Sequence, residues 1–158
     1  MGLVVSADEL EKELLSRPPG RVVFTNGCFD LLHVGHLSTL RKAKGLGDIL
    51  VVGVNSDASV RRLKGAGRPF VSHSERAELV AALEPVDFVV VFEETTPEAL
   101  IARIRPDVHV KGGDYAEADL PEARLVRSYG GEVVIVEEVA GKSTTELARR
   151  LEREGGSS

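Results

Sequence analysis

Cysteine is nearly missing from the 158 residues: Cys28 stands alone. No intramolecular disulfide can form, and the chain suits a reducing cytoplasm. Nor does any apolar run approach the roughly 20 residues of a membrane-spanning helix. Basic residues are outnumbered, 20 Lys and Arg against 25 Asp and Glu, for a net charge of −5. That balance argues against broad binding to nucleic-acid phosphates, yet leaves room for a local basic pocket. The basic-then-apolar order of a signal peptide is absent, because Val4-Val5 soon gives way to Asp8, Glu9, Glu11 and Lys12. Met1-Gly2-Leu3-Val4-Val5-Ser6 fits the loose myristoylation pattern, but with no polybasic segment nearby it reads as coincidence. Internal repeats, linkers and low-complexity blocks are lacking too. With 42% hydrophobic and 28% charged residues, the expectation is one ordinary globular domain. It would comprise an N-terminal helix and turn (1–20), a core (21–153) and a frayed tail (154–158).

What is present alternates. Ser6 can cap a helix to about Leu15, ended by Pro18-Pro19-Gly20. Arg21–Thr25 reads as a strand and Val34–Lys44 as a helix closed by Gly45 and Gly47. Ile49–Val54 is a continuous apolar run, which marks a strand buried on both faces. Ser74–Leu83 reads as a helix capped by Ser72 or Ser74, then Asp87–Phe92 as a strand. A helix from Pro97 to Ile104, a strand at Val108–Val110, a helix at Pro121–Tyr129 and a strand at Glu132–Val136 follow. Thr144–Arg153 is the last helix. Strand and helix repeated about five times predict a Rossmann-like, doubly wound α/β fold: a parallel five-stranded sheet with helices on both faces. Ligands in such sheets sit beyond the carboxyl ends of the strands, where strand order reverses. Asn26–His36, Lys111–Tyr115 and Ala140–Thr145 leave strands at that edge.

The first of these segments carries the most chemistry. Thr25-Asn26-Gly27-Cys28-Phe29-Asp30-Leu31-Leu32-His33-Val34-Gly35-His36 runs from a strand end into a helix start, whose free N–H groups favour a phosphate. His33 and His36, three apart, share one side of the first turn. Gly35 between them lets a base or phosphate approach the backbone. Two donors flanking a gap suit an oxygen that gains charge as a phosphoanhydride breaks. A helix cap plus a packed core residue is the plainer account of the two histidines. Metal ligation is the other, but His73 and His109 lie far along the chain and no cysteine is placed to complete a zinc site.

This segment resembles the His-x-Gly-His signature of the cytidylyltransferase-like nucleotidyltransferases. The likeness continues through Leu46-Gly47-Asp48, Val54-Asn55-Ser56-Asp57, Arg61-Arg62-Leu63-Lys64-Gly65 with Arg68-Pro69, and Glu75-Arg76. It resumes at Val86-Asp87, Val110-Lys111-Gly112-Gly113-Asp114-Tyr115 and Ser143-Thr144-Thr145, spanning about residues 21 to 151. In order, the set is similar to the adenylyltransferases that activate D-glycero-β-D-manno-heptose 1-phosphate and are often fused to a sugar kinase; no kinase half is recognised here. The resemblance implies nucleotide contacts from Thr25, Asn26, Gly27, Cys28, Phe29, Asp30, Gly35, Lys111, Gly113, Asp114, Ser143, Thr144 and Thr145. It further implies catalytic roles for His33, His36 and Lys64, and acceptor contacts from Asn55, Asp57 and Arg76.

Other readings stand beside these. Gly141-Lys142-Ser143-Thr144 is not a Walker A loop, since position 136 is Val. Ser143 or Thr144 may cap the last helix and still offer an anion site; Lys142 faces either a phosphate or solvent. Arg61–Pro69, basic and glycine-rich, reads as a mobile loop that either stays solvated or closes over a triphosphate, where Lys64 would act. Gly112-Gly113-Asp114 makes a tight turn or touches base and ribose. Asn55 and Asp57 equally suit a simple turn, and Arg76 simple pairing along its helix. Cys28 has little beside it to lower its pKa. Cytidylyltransferases of the superfamily typically carry Gly-Asp-Asp where this chain has Gly112-Gly113-Asp114. The missing carboxylate moves the expected nucleotide from CTP to ATP. The expected reaction is AMP transfer from ATP to a sugar 1-phosphate, with Mg²⁺ held by phosphates and not by protein side chains. A cytidylyltransferase for glycerol 3-phosphate and a non-catalytic nucleotide-binding subunit are the alternatives. A homodimer and a separate sugar kinase are compatible partners; nucleic acid and membrane are not expected.

Overall fold

The computed structural model describes residues 2–113, 120–137 and Leu151. In chain order the elements are β1 (Leu3–Val4), α1 (Ala7–Ser16), β2 (Val22–Gly27), α2 (Val34–Lys44), β3 (Ile49–Asn55) and α3 (Asp57–Lys64). They continue with α4 (His73–Ala81), β4 (Phe88–Phe92), α5 (Glu98–Ile104), β5 (Val108–Gly112), α6 (Ala123–Ser128) and β6 (Glu132–Val136). The helix expected at Thr144–Arg153 lies almost wholly outside the described residues.

All pairings are parallel, in the order β1-β4-β3-β2-β5-β6. The chain winds outward from β2 through β3 to β4, then returns to β2's other side for β5 and β6. Strand order therefore reverses between β2 and β5. The sheet has six strands, not the five expected. Leu3 and Val4 pair with Phe88 and Val89 at the edge; two residues are too few to carry any periodicity.

Strand alternation sends side chains to two cores. Val23, Leu50, Val52, Val108 and Val110 meet Leu40 and Ala43 of α2 and Ala77 and Val80 of α4. Phe24, Val51, Phe88 and Val90 meet Leu10 of α1, Leu100 and Ile101 of α5 and Val126 of α6. Every residue of β3 is buried, as its unbroken apolar run requires. At the amino-terminal edge three carboxylates catch the first strand amides: Asp48 takes Arg21 N–H, Asp107 takes Val22 N–H and Asp87 takes Leu50 N–H. Those groups would otherwise be unpaired donors.

The basic run is a correction. Ser56 caps a helix, its hydroxyl accepting from Ser59 N–H, and Arg61, Arg62 and Lys64 fill the last turn of α3. Three cations at a helix C-terminus are favoured by the peptide dipoles there. The helix stops at Gly65, whose φ of 101° only glycine adopts without strain. Lys64 is thus the last residue of a helix, and the loop begins after it.

Gly53, in the middle of the sheet, is held against aromatic rings: a Cβ there would sit 2.9 Å from Phe24 and 3.2 Å from Phe92. Neither ring has room to withdraw, both being buried. Gly53→Ala should cost about 1–3 kcal/mol of stability, read as a lower denaturant midpoint at unchanged slope. An unchanged midpoint would show that the two-ring packing is looser than described.

Candidate active site

A cavity of about 660 Å³ opens at the carboxyl ends of β2, β3 and β5, where strand order reverses. That size suits a small-molecule substrate. Thr25 to Phe29, His33, His36, Asn55, Lys64 and Lys111 line it. The structure thus brings together most of the sequence-predicted positions. Asp30, Asp57 and Arg76 stand behind the wall, and Asp114 and Ser143 to Thr145 lie outside the described residues.

Both histidines are fixed by the start of α2. His33 is the N-cap, and its Nδ1 accepts the Gly35 N–H at 3.1 Å. The His33 N–H in turn donates to Nδ1 of His36 at 3.3 Å. This is a capping box with imidazoles in place of the usual hydroxyl and carboxylate. A ring nitrogen that accepts a backbone N–H carries no proton, so each neutral ring keeps its proton on Nε2. The ring centroids are 3.9 Å apart, and Phe29 packs on His36 at 5.2 Å. Burial, then the nearness of His33 and Lys64, lowers the His36 pKa to about 4. His36 is therefore a neutral donor at pH 7, and not a cation.

The loop before α2 is equally constrained. Phe29 adopts a φ of 50°, left-handed backbone that costs a non-glycine residue about 1–2 kcal/mol. Its buried ring lies where a Gly27 Cβ would come within 3.1 Å, so Gly27 is what lets the ring fold under the loop. Asp30 turns away from the cavity. Its carboxylate takes Arg68 Nε at 2.7 Å and the N–H groups of Phe70 and Val71. Burial alone would raise its pKa, but these donors outweigh it and hold the carboxyl below its usual range. Arg76 is fully buried and spends its guanidinium on the carbonyls of Val71, Cys28 and Asn55 and on Asp57. Asp57 is further tied to His73, exchanging hydrogen bonds with it. With these contacts Asp30, Asp57 and Arg76 brace the loop from behind.

In this acidic chain the cavity is locally basic. Cys28 feels Lys64, Arg76, Lys111 and Arg68, yet its burial outweighs them and raises the thiol pKa. A poor thiolate is a poor nucleophile. Among the described residues no three His, Cys, Asp or Glu side chains are grouped to hold a metal ion, and no helix is long and apolar enough to cross a membrane.

A cytidylyltransferase-like family model matches residues 24–153. The chain belongs to the cytidylyltransferase-like family and is a nucleotidyltransferase. It is 58% identical over 130 residues to the bifunctional protein HldE of Syntrophotalea carbinolica, covering 82% of this chain and 26% of that protein. The bifunctional protein HldE of Koribacter versatilis is also 58% identical over 130 residues, or 82% of this chain and 27% of the relative. The chain therefore spans about a quarter of the curated relatives it matches. A crystal structure of a lipopolysaccharide core biosynthesis protein from Thermoplasma volcanium is 30% identical, with a TM-score of 0.62 over 77% of this chain and 98% of that one. A pantoate-beta-alanine ligase from Francisella tularensis, 12% identical with a TM-score of 0.64 over 96% of this chain and 77% of that one, shares the fold.

One contact at the wall escaped sequence reading. Glu122, 2% exposed, lines the cavity, and its carboxylate lies 2.8 Å from Nε2 of His109, which is fully buried under Phe24. A histidine in an apolar strand signals that some partner must exist, but not which one.

The two shifted groups separate in pH. An unfolded His36 binds a proton below its ordinary 6.5, whereas the folded ring resists until about 4. Stability should therefore fall as pH drops from about 6.5 to about 4, and His36→Gln should flatten that limb. Asp30, also lowered, acts in the same direction in a lower window: its contribution is present above the unfolded value of 3.8 and disappears at lower pH. Denaturant midpoints against pH for the parent and for His36→Gln check this. A His36→Gln profile that parallels the parent between pH 6.5 and 4 would contradict the histidine geometry.

Proposed function

We propose that the protein transfers AMP from ATP to D-glycero-β-D-manno-heptose 1-phosphate, giving ADP-heptose and pyrophosphate. The observation that carries this reading is the pair of imidazoles with Nδ1 occupied by backbone and Nε2 left as the donor, at a helix start beside Lys64. An oxygen of the acceptor phosphate attacks the α-phosphorus of ATP. The bond from that phosphorus to the β-bridging oxygen breaks, and pyrophosphate leaves with the electron pair. The acceptor phosphate is already ionised, so no strong general base is needed; catalysis is positioning and neutralisation of charge. His33 and His36 donate to the phosphates without adding full charge, and Lys64 supplies charge from the end of α3. Lys111 attracts the same phosphates from the end of β5. Ser143, Thr144 and Thr145 would hold the far phosphates.

When bound, Mg²⁺ would neutralise and orient the triphosphate. The described donors fit an ion carried by phosphate oxygens and water, since the nearest buried aspartate, Asp30, is engaged by Arg68, Phe70 and Val71. Adenine over cytosine is favoured by Gly113. Its φ of 118° disfavours any side chain, and its N–H is tied to Val136. No carboxylate can readily stand there to take the cytosine amine. The heptose acceptor is supported by likeness to the HldE proteins.

The test pairs each nucleoside triphosphate with a panel of sugar 1-phosphates and with glycerol 3-phosphate, scoring pyrophosphate release. ATP with heptose 1-phosphate should give the highest kcat/KM. His36→Ala should lower turnover by about 10²–10³, the scale of losing one donor to a developing oxyanion. Preference for CTP with glycerol 3-phosphate, or near-normal turnover in the variant, would sink this assignment.

A further inference from the structure

Strand alternation divides the cavity between the two faces of the sheet. Val23 packs with Leu40 and Ala43 of α2, so Thr25 points to the same face as the helix that bears the histidines. Phe24 packs with α5 and α6, so Asn26 points to the opposite face. On that opposite face His109 stacks with Phe24 at 5.7 Å and holds Glu122 at the start of α6. Asn26 and Glu122 both line the cavity.

Asn26 Oδ1 is buried and has no hydrogen-bond partner among the described residues. Beyond its own N–H, the Glu122 carboxylate is hydrogen-bonded there to His109 alone, although a carboxylate has capacity for several. Burial by itself would push the Glu122 carboxyl up, but the His109 bond, its own N–H and nearby charge hold it low, so it is ionised at neutral pH. Two acceptors without enough donors are costly inside a protein and call for a donor-rich ligand. A carboxylate repels phosphate, so the ligand's phosphates lie toward the histidines and Lys64. The part that reaches Glu122 is a neutral hydrogen-bond donor. A base offers one amine at one edge, whereas these acceptors come from two separate elements, with Thr95 and Thr96 also on the wall. Several hydroxyl groups on one ring match that spread.

We propose that Asn26 and Glu122 form a subsite for the hydroxyl groups of the acceptor's sugar, across the sheet from the two histidines. It rests on the reading of the acceptor as a sugar phosphate, and His109 is its positioning residue.

Glu122→Gln and Asn26→Ala, made separately in the full chain, test it by initial rates with ATP and heptose 1-phosphate varied in turn. The KM for the sugar phosphate should rise about 10-fold or more, the scale of a hydrogen bond to a charged group. The KM for ATP should stay as in the parent, and with Asn26→Ala so should the melting temperature. Among mono-deoxy sugar 1-phosphates, one should lose a similar factor with the parent enzyme and lose little more with Glu122→Gln. A raised KM for ATP with an unchanged sugar KM would place the nucleotide at these residues and overturn the subsite, as would unchanged values for both. If Glu122→Gln does not fold, Asn26→Ala carries the same comparison, since that amide oxygen accepts no hydrogen bond among the described residues. A parent enzyme that adenylylates no sugar phosphate overturns the functional reading itself. Failure of the subsite alone leaves the parent active and both variants matching it.

Discussion

Two backbone N–H groups at the start of α2, those of His33 and Gly35, each occupy the Nδ1 of an imidazole. The rest of the site depends on that arrangement. It satisfies donors that every helix start leaves over, and it fixes both the orientation and the proton position of each ring. In the proposed reaction, stability and chemistry are served by the same two hydrogen bonds. With rings 3.9 Å apart, two full positive charges would repel, and burial already disfavours one on His36. Neutral rings keep a donor on each Nε2 without that penalty. Full charge comes instead from Lys64 and Lys111, which reach the same cavity from α3 and β5.

Such a constellation needs a rigid support, and here the support is ionic and buried. Asp30 ties the loop before α2 to the segment at Arg68–Val71, while Arg76 joins the Cys28 and Asn55 carbonyls to Asp57. A buried ion pair adds little net stability, but removing one partner commonly costs about 3–5 kcal/mol because the other charge is stranded. The strained φ of Phe29 is the kind of local cost such bracing can sustain. The loop and α2 are thus held by contacts that cross β2, β3 and α4.

The architecture was readable because a parallel sheet buried on both faces writes long apolar runs, as in Ile49–Val54, between capped helices. The switch point followed from the same rule and led to the edge where the cavity opens. Less was readable where a signal was too short or served two meanings. Leu3-Val4 was too brief to show as a strand. The basic run at Arg61–Lys64 looked like a solvated loop, although the same cations suit a helix C-terminus and Ser56 was in place as its cap. Asp30, Asp57 and Arg76 sit inside the family motifs, and only coordinates distinguish a side chain that touches the cavity from one that braces it. The His109–Glu122 contact joins residues 13 apart on a strand and a helix start, and no periodicity reports such a pair.

The central claim is that His33 and His36 act as neutral Nε2–H donors whose Nδ1 atoms belong to the backbone. Nitrogen-detected NMR of the histidine side chains in the intact protein at pH 7 tests it most directly. The account predicts that both rings carry a proton on Nε2 and none on Nδ1, and that His36 keeps this form as the pH is lowered until about 4. A proton on Nδ1 of either ring at pH 7, or His36 titrating near 6.5, would contradict it.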